Sequence, residues 1–173
     1  MARSDPSPGA RLLRTWDRLS GLPGGKRLFS WLVGRGAPYT GTVGARIIEL
    51  EPGYVRSQLR DRKQVRNHLD SIHAVALINV GEVTSGLAMM TGLPPSIRGI
   101  VSGLRAEYLK KARGLLDVEC RCEIPEVREP AEHEVISVIR DAGGDTVTRV
   151  TVDWLLSPNP NEREGSTSST TGC

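Results

Sequence analysis

The chain has 173 residues, enough for one domain with a real core and too few to expect two. A formal net charge of +3 and a pI near 9.0 suit a phosphorylated small molecule, a nucleic acid or an anionic membrane surface, and do not choose among them. Aromatic residues make up only 4%, with a single Phe, which argues against a base-stacking platform for nucleic acid; three cysteines, Cys120, Cys122 and Cys173, do not make a disulfide framework.

Residues 1–10 and 158–173 are rich in Ser, Thr, Pro, Gly and Asn and are expected to be disordered tails. The start MARSDPSPGA leads into charged residues rather than a long apolar stretch, so a cytoplasmic protein is expected. Residues 11–36 hold two short helical patterns, Leu12, Leu13, Trp16 and Leu19, then Leu28, Trp31 and Leu32, divided by GLPGG. They are expected to dock as a helical flap on a body spanning 37–157. Arg11, Arg14, Lys26 and Arg27 nearby make a peripheral membrane contact the alternative.

The segments TVGARIIEL and GYVRSQLRD flank Glu51-Pro52-Gly53 and predict a β-hairpin. From Ile72 to Met90 apolar and small residues occur on every side, which predicts a helix buried all round. It contains His73, Asn79 and Glu82, so a transmembrane span is rejected. Asp70 or Ser71 is the expected N-cap. Gly81 and Gly86 weaken the helix and suggest that another backbone or a ligand comes close.

Four strand-like segments follow. In GLLDVECRCEI, Leu116, Val118, Cys120, Cys122 and Ile124 alternate with charged residues, the period of a strand with one wet face. Both cysteines therefore fall on the core face. VTRVTVDWLL alternates likewise, and DAGGD predicts the turn of a second hairpin. The expected architecture is α+β, a curved antiparallel sheet wrapped around one long buried helix, with N-terminal helices.

A glutamate inside an apolar helix needs a partner or a purpose, because burying an unpaired charge is costly. His73 and Glu82 are nine residues apart, roughly 900° of helical turn and a climb of about 13 Å, so they face opposite ways. If they act together, the histidine of one protomer meets the glutamate of another, which predicts a two-fold dimer with two equivalent sites. Free N–H groups around Ile72, His73 and Ala74 can polarise a carbonyl. Glu82 from across the interface can then attack a thioester or activate water, with Asn67 orienting that water or the carboxylate. The scheme needs no metal and no cofactor.

At these residues the chain resembles the hotdog-fold thioesterases, in their PaaI-like branch. There a loop Asn precedes a His-Gly-Gly helix start and an acid follows the His by nine positions; Asn67, His73 and Glu82 match that spacing. RGIVSGLRAEYLKKARGLLDVEC is similar to the family's strand-turn-strand after the helix, and the likeness covers residues 40–157. SIHAVAL looks closest to an uncharacterised hotdog subfamily. The family's Gly-Gly is Ala74-Val75 here, which leaves the Ala74 N–H as the oxyanion donor.

The resemblance implies a homodimer, with a tetramer as the alternative, that hydrolyses an acyl-CoA or related acyl thioester. Glu82, Asn67 and His73 are its candidate catalytic residues. Ser102 is the candidate for the family's strand Ser or Thr near the acid, although a one-residue offset turns it to the other face. Lys110, Lys111 and Arg113, or else Arg62, Lys63 and Arg66, are candidates for the coenzyme A phosphates. The alternative from another class is a non-catalytic acyl- or lipid-binding hotdog module, which Ala74-Val75 and the apolar N-terminal helices favour. Nucleic-acid binding has only the charge in its favour, with no motif.

Overall fold

A computed structural model describes residues 7–159. The predicted hairpin forms from Arg46–Glu51 (β1) and Tyr54–Arg60 (β2), and the four later segments become Ile97–Tyr108 (β3), Leu115–Arg121 (β4), Ala131–Arg140 (β5) and Thr146–Pro158 (β6). They make one six-stranded sheet in the order β1-β2-β4-β5-β6-β3, with every neighbouring pair antiparallel. The alternation read in β4 is realised: Leu116, Val118 and Cys120 are buried while Asp117 and Glu119 lie toward water. β3 and β4 are consecutive in sequence but not neighbours. β3 forms one edge of the sheet and β4 sits between β2 and β5.

The long helix is Ala74–Gly92, here α4, and it lies in the curve of the sheet against β2, β4, β5 and β6. Gly81 has the predicted close approach, and the neighbour is a side chain: a Cβ there would stand 2.6 Å from Val150 Cβ. The Ser137 hydroxyl donates to the Gly81 carbonyl at 2.8 Å, and the Ser57 and Thr84 hydroxyls pair at 2.7 Å, so these three buried hydroxyls of the interface are satisfied. Although α4 is long and apolar enough to cross a membrane, most of it is covered by the sheet, as the core helix of a folded domain is.

Ahead of the sheet come Pro8–Leu19 (α1), Gly25–Gly36 (α2) and a short helix not read in the sequence, Pro38–Val43 (α3). α1 starts at Pro8 and β6 runs through Pro158, so regular structure enters both stretches expected to be disordered; residues 1–6 and 160–173 of those stretches lie outside the described residues. The N-terminal helices are firmly docked. Gly9 meets α4 so closely that a Cβ would stand 1.9 Å from the Met90 carbonyl oxygen. Trp16 and Phe29 pack edge to face with ring centroids 5.1 Å apart. Lys26 Nζ donates to the Ile48 carbonyl at 2.7 Å, and the Ile47 N–H donates to Ser30 at 2.8 Å, stitching α2 to β1.

Candidate functional site

α4 begins two residues later than its apolar pattern, and its cap is neither Asp70 nor Ser71. His73 is the N-cap: its Nδ1 accepts from the Val75 N–H at 3.2 Å, which makes the ring the Nε2–H tautomer. Ser71 is turned inward, where its hydroxyl donates to Asn67, and Asp70 lies in the loop at φ 50°. The N–H groups of Ile72 and His73 are taken by the Ala112 and Val65 carbonyls, at 2.9 and 2.7 Å. Ala74 N–H has no acceptor among the described residues. One open donor therefore stands at the positive end of a 19-residue helix.

Asn67 is chiefly a loop clasp. Its Oδ1 accepts from the Leu69 N–H at 2.9 Å and from the Ser71 N–H and hydroxyl, leaving only its amide nitrogen for a ligand. The loop is held from outside as well, since Arg113 donates to the Asp70 and Leu69 carbonyls. Asn67, Ala74, Leu77, Tyr108 and Lys111 line a cavity of about 370 Å³. Tyr108 was not singled out in the sequence: its hydroxyl donates to the Ala74 carbonyl at 3.2 Å, and burial pushes its pKa up. His73 faces a different cavity, beside Val65, Arg66 and Val75.

Glu82 lies on the far side of α4, as its phase requires, in a third cavity of about 780 Å³ between α4 and the N-terminal helices. Leu12, Phe29, Leu32, Leu87, Met90 and Trp154 give this chamber an apolar lining. The Glu82 carboxylate has no hydrogen-bond or ion-pair partner among the described residues, and desolvation by burial raises its pKa. The Trp154 indole N–H is also buried without a partner on the same cavity. The Glu82 carboxylate is thus an acceptor without a partner in a largely apolar chamber that Arg11, Thr15 and Thr40 also line, and the buried Trp154 indole N–H is a second polar group left unpaired there. One protomer brings Asn67 and Ala74 together and keeps both apart from Glu82.

The other candidates fare differently. Ser102 sits at a β-bulge, where the register of β3 on β6 shifts between Val101 and Gly103. Its hydroxyl donates to the Asp153 carbonyl at 3.1 Å and to Glu132, so it belongs to the outer face of the sheet and lines none of these cavities. Lys110 also lines the Asn67 cavity, but its ammonium is held by Asp141 and Asp145, at 2.6 and 2.7 Å, and this pair raises its pKa. Arg62 donates to the Thr42 and Val43 carbonyls, and Arg66 pairs with Asp61. Lys111 stays on the Asn67 cavity with no ion pair among the described residues. Cys120 is buried and Cys122 half-buried, both as free thiols. No group of three His, Cys, Asp or Glu among the described residues is placed to hold a metal ion.

A six-stranded antiparallel sheet curled around one long helix is the hotdog arrangement. A family model described as a domain of unknown function, DUF4442, matches residues 25–156. The chain belongs to the DUF4442 family. The match takes in α2 and α3 as well as the sheet and α4, so two of the three N-terminal helices fall inside the matched span. No curated protein matches this DUF4442 chain. Among solved structures, a Pseudomonas aeruginosa protein of unknown function, named a probable thioesterase, is 25% identical with a TM-score of 0.70, covering 80% of this chain and 97% of its own. A Haemophilus influenzae thioesterase aligns at 12% identity and TM-score 0.61, over 69% of this chain and 82% of its own. A hypothetical thioesterase from Streptococcus pneumoniae, solved with coenzyme A, aligns at 17% identity and TM-score 0.57, over 66% and 90%. The last two show the fold alone, and the fold of this chain is that of the hotdog thioesterase superfamily.

Proposed function

We propose that the protein is a thioester hydrolase acting on acyl-CoA or a related acyl thioester, at a site completed by two protomers. The observation that carries the proposal is the unpartnered Glu82 carboxylate in an apolar chamber, on a fold whose α4 presents one open N–H at Ala74. The 25%-identical Pseudomonas relative, named a probable thioesterase, supports the reaction class, and the Streptococcus relative with coenzyme A supports the carrier.

The two half-sites lie on opposite faces of α4, so a second copy must bring them together. β3 supplies a surface for that copy. It is a 12-residue edge strand with Ile100, Leu104 and Tyr108 exposed, and a long open edge of this kind is normally covered. In the joined site the Ala74 N–H takes the thioester oxygen as it becomes an oxyanion. Glu82 of the second protomer draws a proton from water, whose oxygen bonds to the acyl carbon; the C–S bond then breaks and the thiolate takes up a proton. Attack by the carboxylate itself, giving an anhydride that water opens, uses the same placement. A carboxylate whose pKa burial raises is the stronger base for the first route. His73 sets the first turn of α4 by capping it, and the Asn67 clasp with Lys111 shapes the pantetheine and phosphate end.

The test is hydrolysis of a panel of short, long and aromatic acyl-CoAs by the native protein and by Glu82→Gln. Turnover by the native protein that falls about 10²- to 10⁴-fold in a folded variant supports the reading. Native protein that turns over no member of the panel, or a variant that equals it, defeats it. The second reading, an acyl-binding module without turnover, is favoured by the exposed Val75 side chain where the PaaI-like thioesterases have the second Gly of their helix start. Extraction of a bound fatty acid from an inert native protein would select it.

A further inference from the structure

The outer face of α2 is the part of the molecule that its folding leaves unexplained. At 100° per residue, Arg27, Leu28, Trp31, Leu32 and Arg35 fall within about 140° of one another, opposite Phe29 and Val33, which face the core. Trp31 is 56% exposed, Leu28 46% and Leu32 41%, a stripe of large apolar side chains in water. Arg35 stands over the Trp31 ring at 5.2 Å. Arg27, Trp31 and Arg35 also line a cavity of about 390 Å³ with Arg46, at the start of β1. None of these three arginines makes an ion pair or hydrogen bond among the described residues.

Charge and apolarity therefore coincide. Residues 8–36 carry six basic side chains against one acidic, a net +5 in a chain whose total is only +3. A helix face with Trp and Leu flanked by arginines suits the boundary of an anionic bilayer, where the rings and aliphatic chains enter the headgroup layer and the guanidiniums meet phosphate. We infer that α2 seats the protein on anionic phospholipid, with Trp31, Leu28 and Leu32 in the headgroup boundary and Arg27, Arg35 and Arg46 on phosphates. Anionic headgroups complete the set of ligands that the three arginines lack within the protein.

The seat also has a position relative to the Glu82 chamber. Leu32 lines that chamber from the same helix, and Val33, Thr40 and Val83 form a wall common to it and to the arginine-lined cavity. A protein seated through α2 holds its apolar chamber against the surface from which acyl chains come. The inference does not depend on hydrolysis, since lipid seating is read without any substrate.

The test is co-sedimentation of the full chain with vesicles of phosphatidylcholine alone and of phosphatidylcholine mixed with phosphatidylglycerol, at low and high salt. The inference predicts binding to the anionic vesicles only, weakened by salt, with Trp31 emission shifted to the blue while the buried Trp16 and Trp154 stay unchanged. Each arginine near an anionic surface is worth roughly fivefold in partitioning, so R27E with R35E lowers binding by more than about 25-fold. Leu28→Ser with Leu32→Ser removes the emission shift and leaves a weak, salt-sensitive contact. Circular dichroism shows that each variant is folded. Equal binding to both vesicle types, no binding to either, or variants that bind like the native chain overturn the inference. So does a native oligomer that the L28S/L32S pair dissociates without change in vesicle binding, which would make this face a contact with a second copy.

Discussion

Gly9→Ala tests how the N-terminal helices are held, and local propensity and tertiary contact predict opposite signs for it. Within a helix, Ala is favoured over Gly by up to about 1 kcal/mol, so an α1 that merely rests on the body gains stability. In the folded protein the new Cβ would stand 1.9 Å from the Met90 carbonyl oxygen, 2.8 Å from its carbonyl carbon and 3.0 Å from Thr91 Cα. All three are backbone atoms of α4, the core helix, and cannot swing aside as a side-chain tip can. α1 must move instead. Overpacking of this kind costs about 1–3 kcal/mol, so the net expectation is a loss of roughly 1–2 kcal/mol. For a chain of this size that lowers Tm by about 2–8 °C. Paired thermal and denaturant melts of the native protein and the variant read it, with Gly36→Ala as control because nothing lies within 4 Å of a Cβ there. A variant as stable as the native protein, or more so, refutes the docking of α1 on α4 and with it the α1 wall of the chamber beside Glu82.

Burial raises the pKa of Glu82 in the folded protein, so the ionised form is disfavoured there and not in the unfolded chain. Below the usual glutamate range both states hold the proton and Glu82→Gln matches the native protein in stability. As pH rises through that range to the raised folded-state value, the native protein loses ground, and at neutral pH the variant is the more stable; denaturant midpoints across pH measure it, and parallel curves contradict it. His73→Ala removes the cap of α4 and lowers stability by about 1 kcal/mol, whereas His73→Asn keeps it. Turnover that follows the cap, retained in His73→Asn, is the expected result, and its loss in a stable Asn variant would give the imidazole a contact with the reactants. Gly81→Ala places a Cβ against Val150 and costs roughly 1–3 kcal/mol, restored in part by Val150→Ala; chemical denaturation of the double-mutant cycle reads the coupling.

What could be read in the sequence was set by period and by burial. The alternation through Leu116, Val118 and Cys120 reports a sheet with one wet face, and an apolar run on all sides of Ile72–Met90 reports a helix that the sheet encloses. The opposite facing of His73 and Glu82 follows from the helical repeat, and their separate cavities agree with it. The cap could not be read, because Asp70 and Ser71 are better caps by residue type, and only the fold turns Ser71 to Asn67 and leaves His73 at the boundary. Nor could the fate of Lys110, whose partners Asp141 and Asp145 lie more than thirty residues away. A one-residue bulge at Ser102 decides its face, and no local pattern announces it. The chamber around Glu82 draws its walls from α1, α2 and β6, segments whose meeting is a property of the whole fold.

The shared site is tested most directly by complementation. Ala74 is the first residue of α4, where Pro is tolerated, and His73 already has the extended backbone that a following Pro requires. Ala74→Pro thus removes the open N–H and little else. It is combined, by co-expression with two different tags, with Glu82→Gln. Each variant alone is expected to be folded, dimeric and inactive on the acyl-CoA that the native protein hydrolyses. The mixed dimer carries one site with both the Ala74 N–H and the Glu82 carboxylate and one with neither, so purified heterodimer should recover about half the native turnover. A mixed dimer as inactive as its parents would contradict a site built from the two faces of α4.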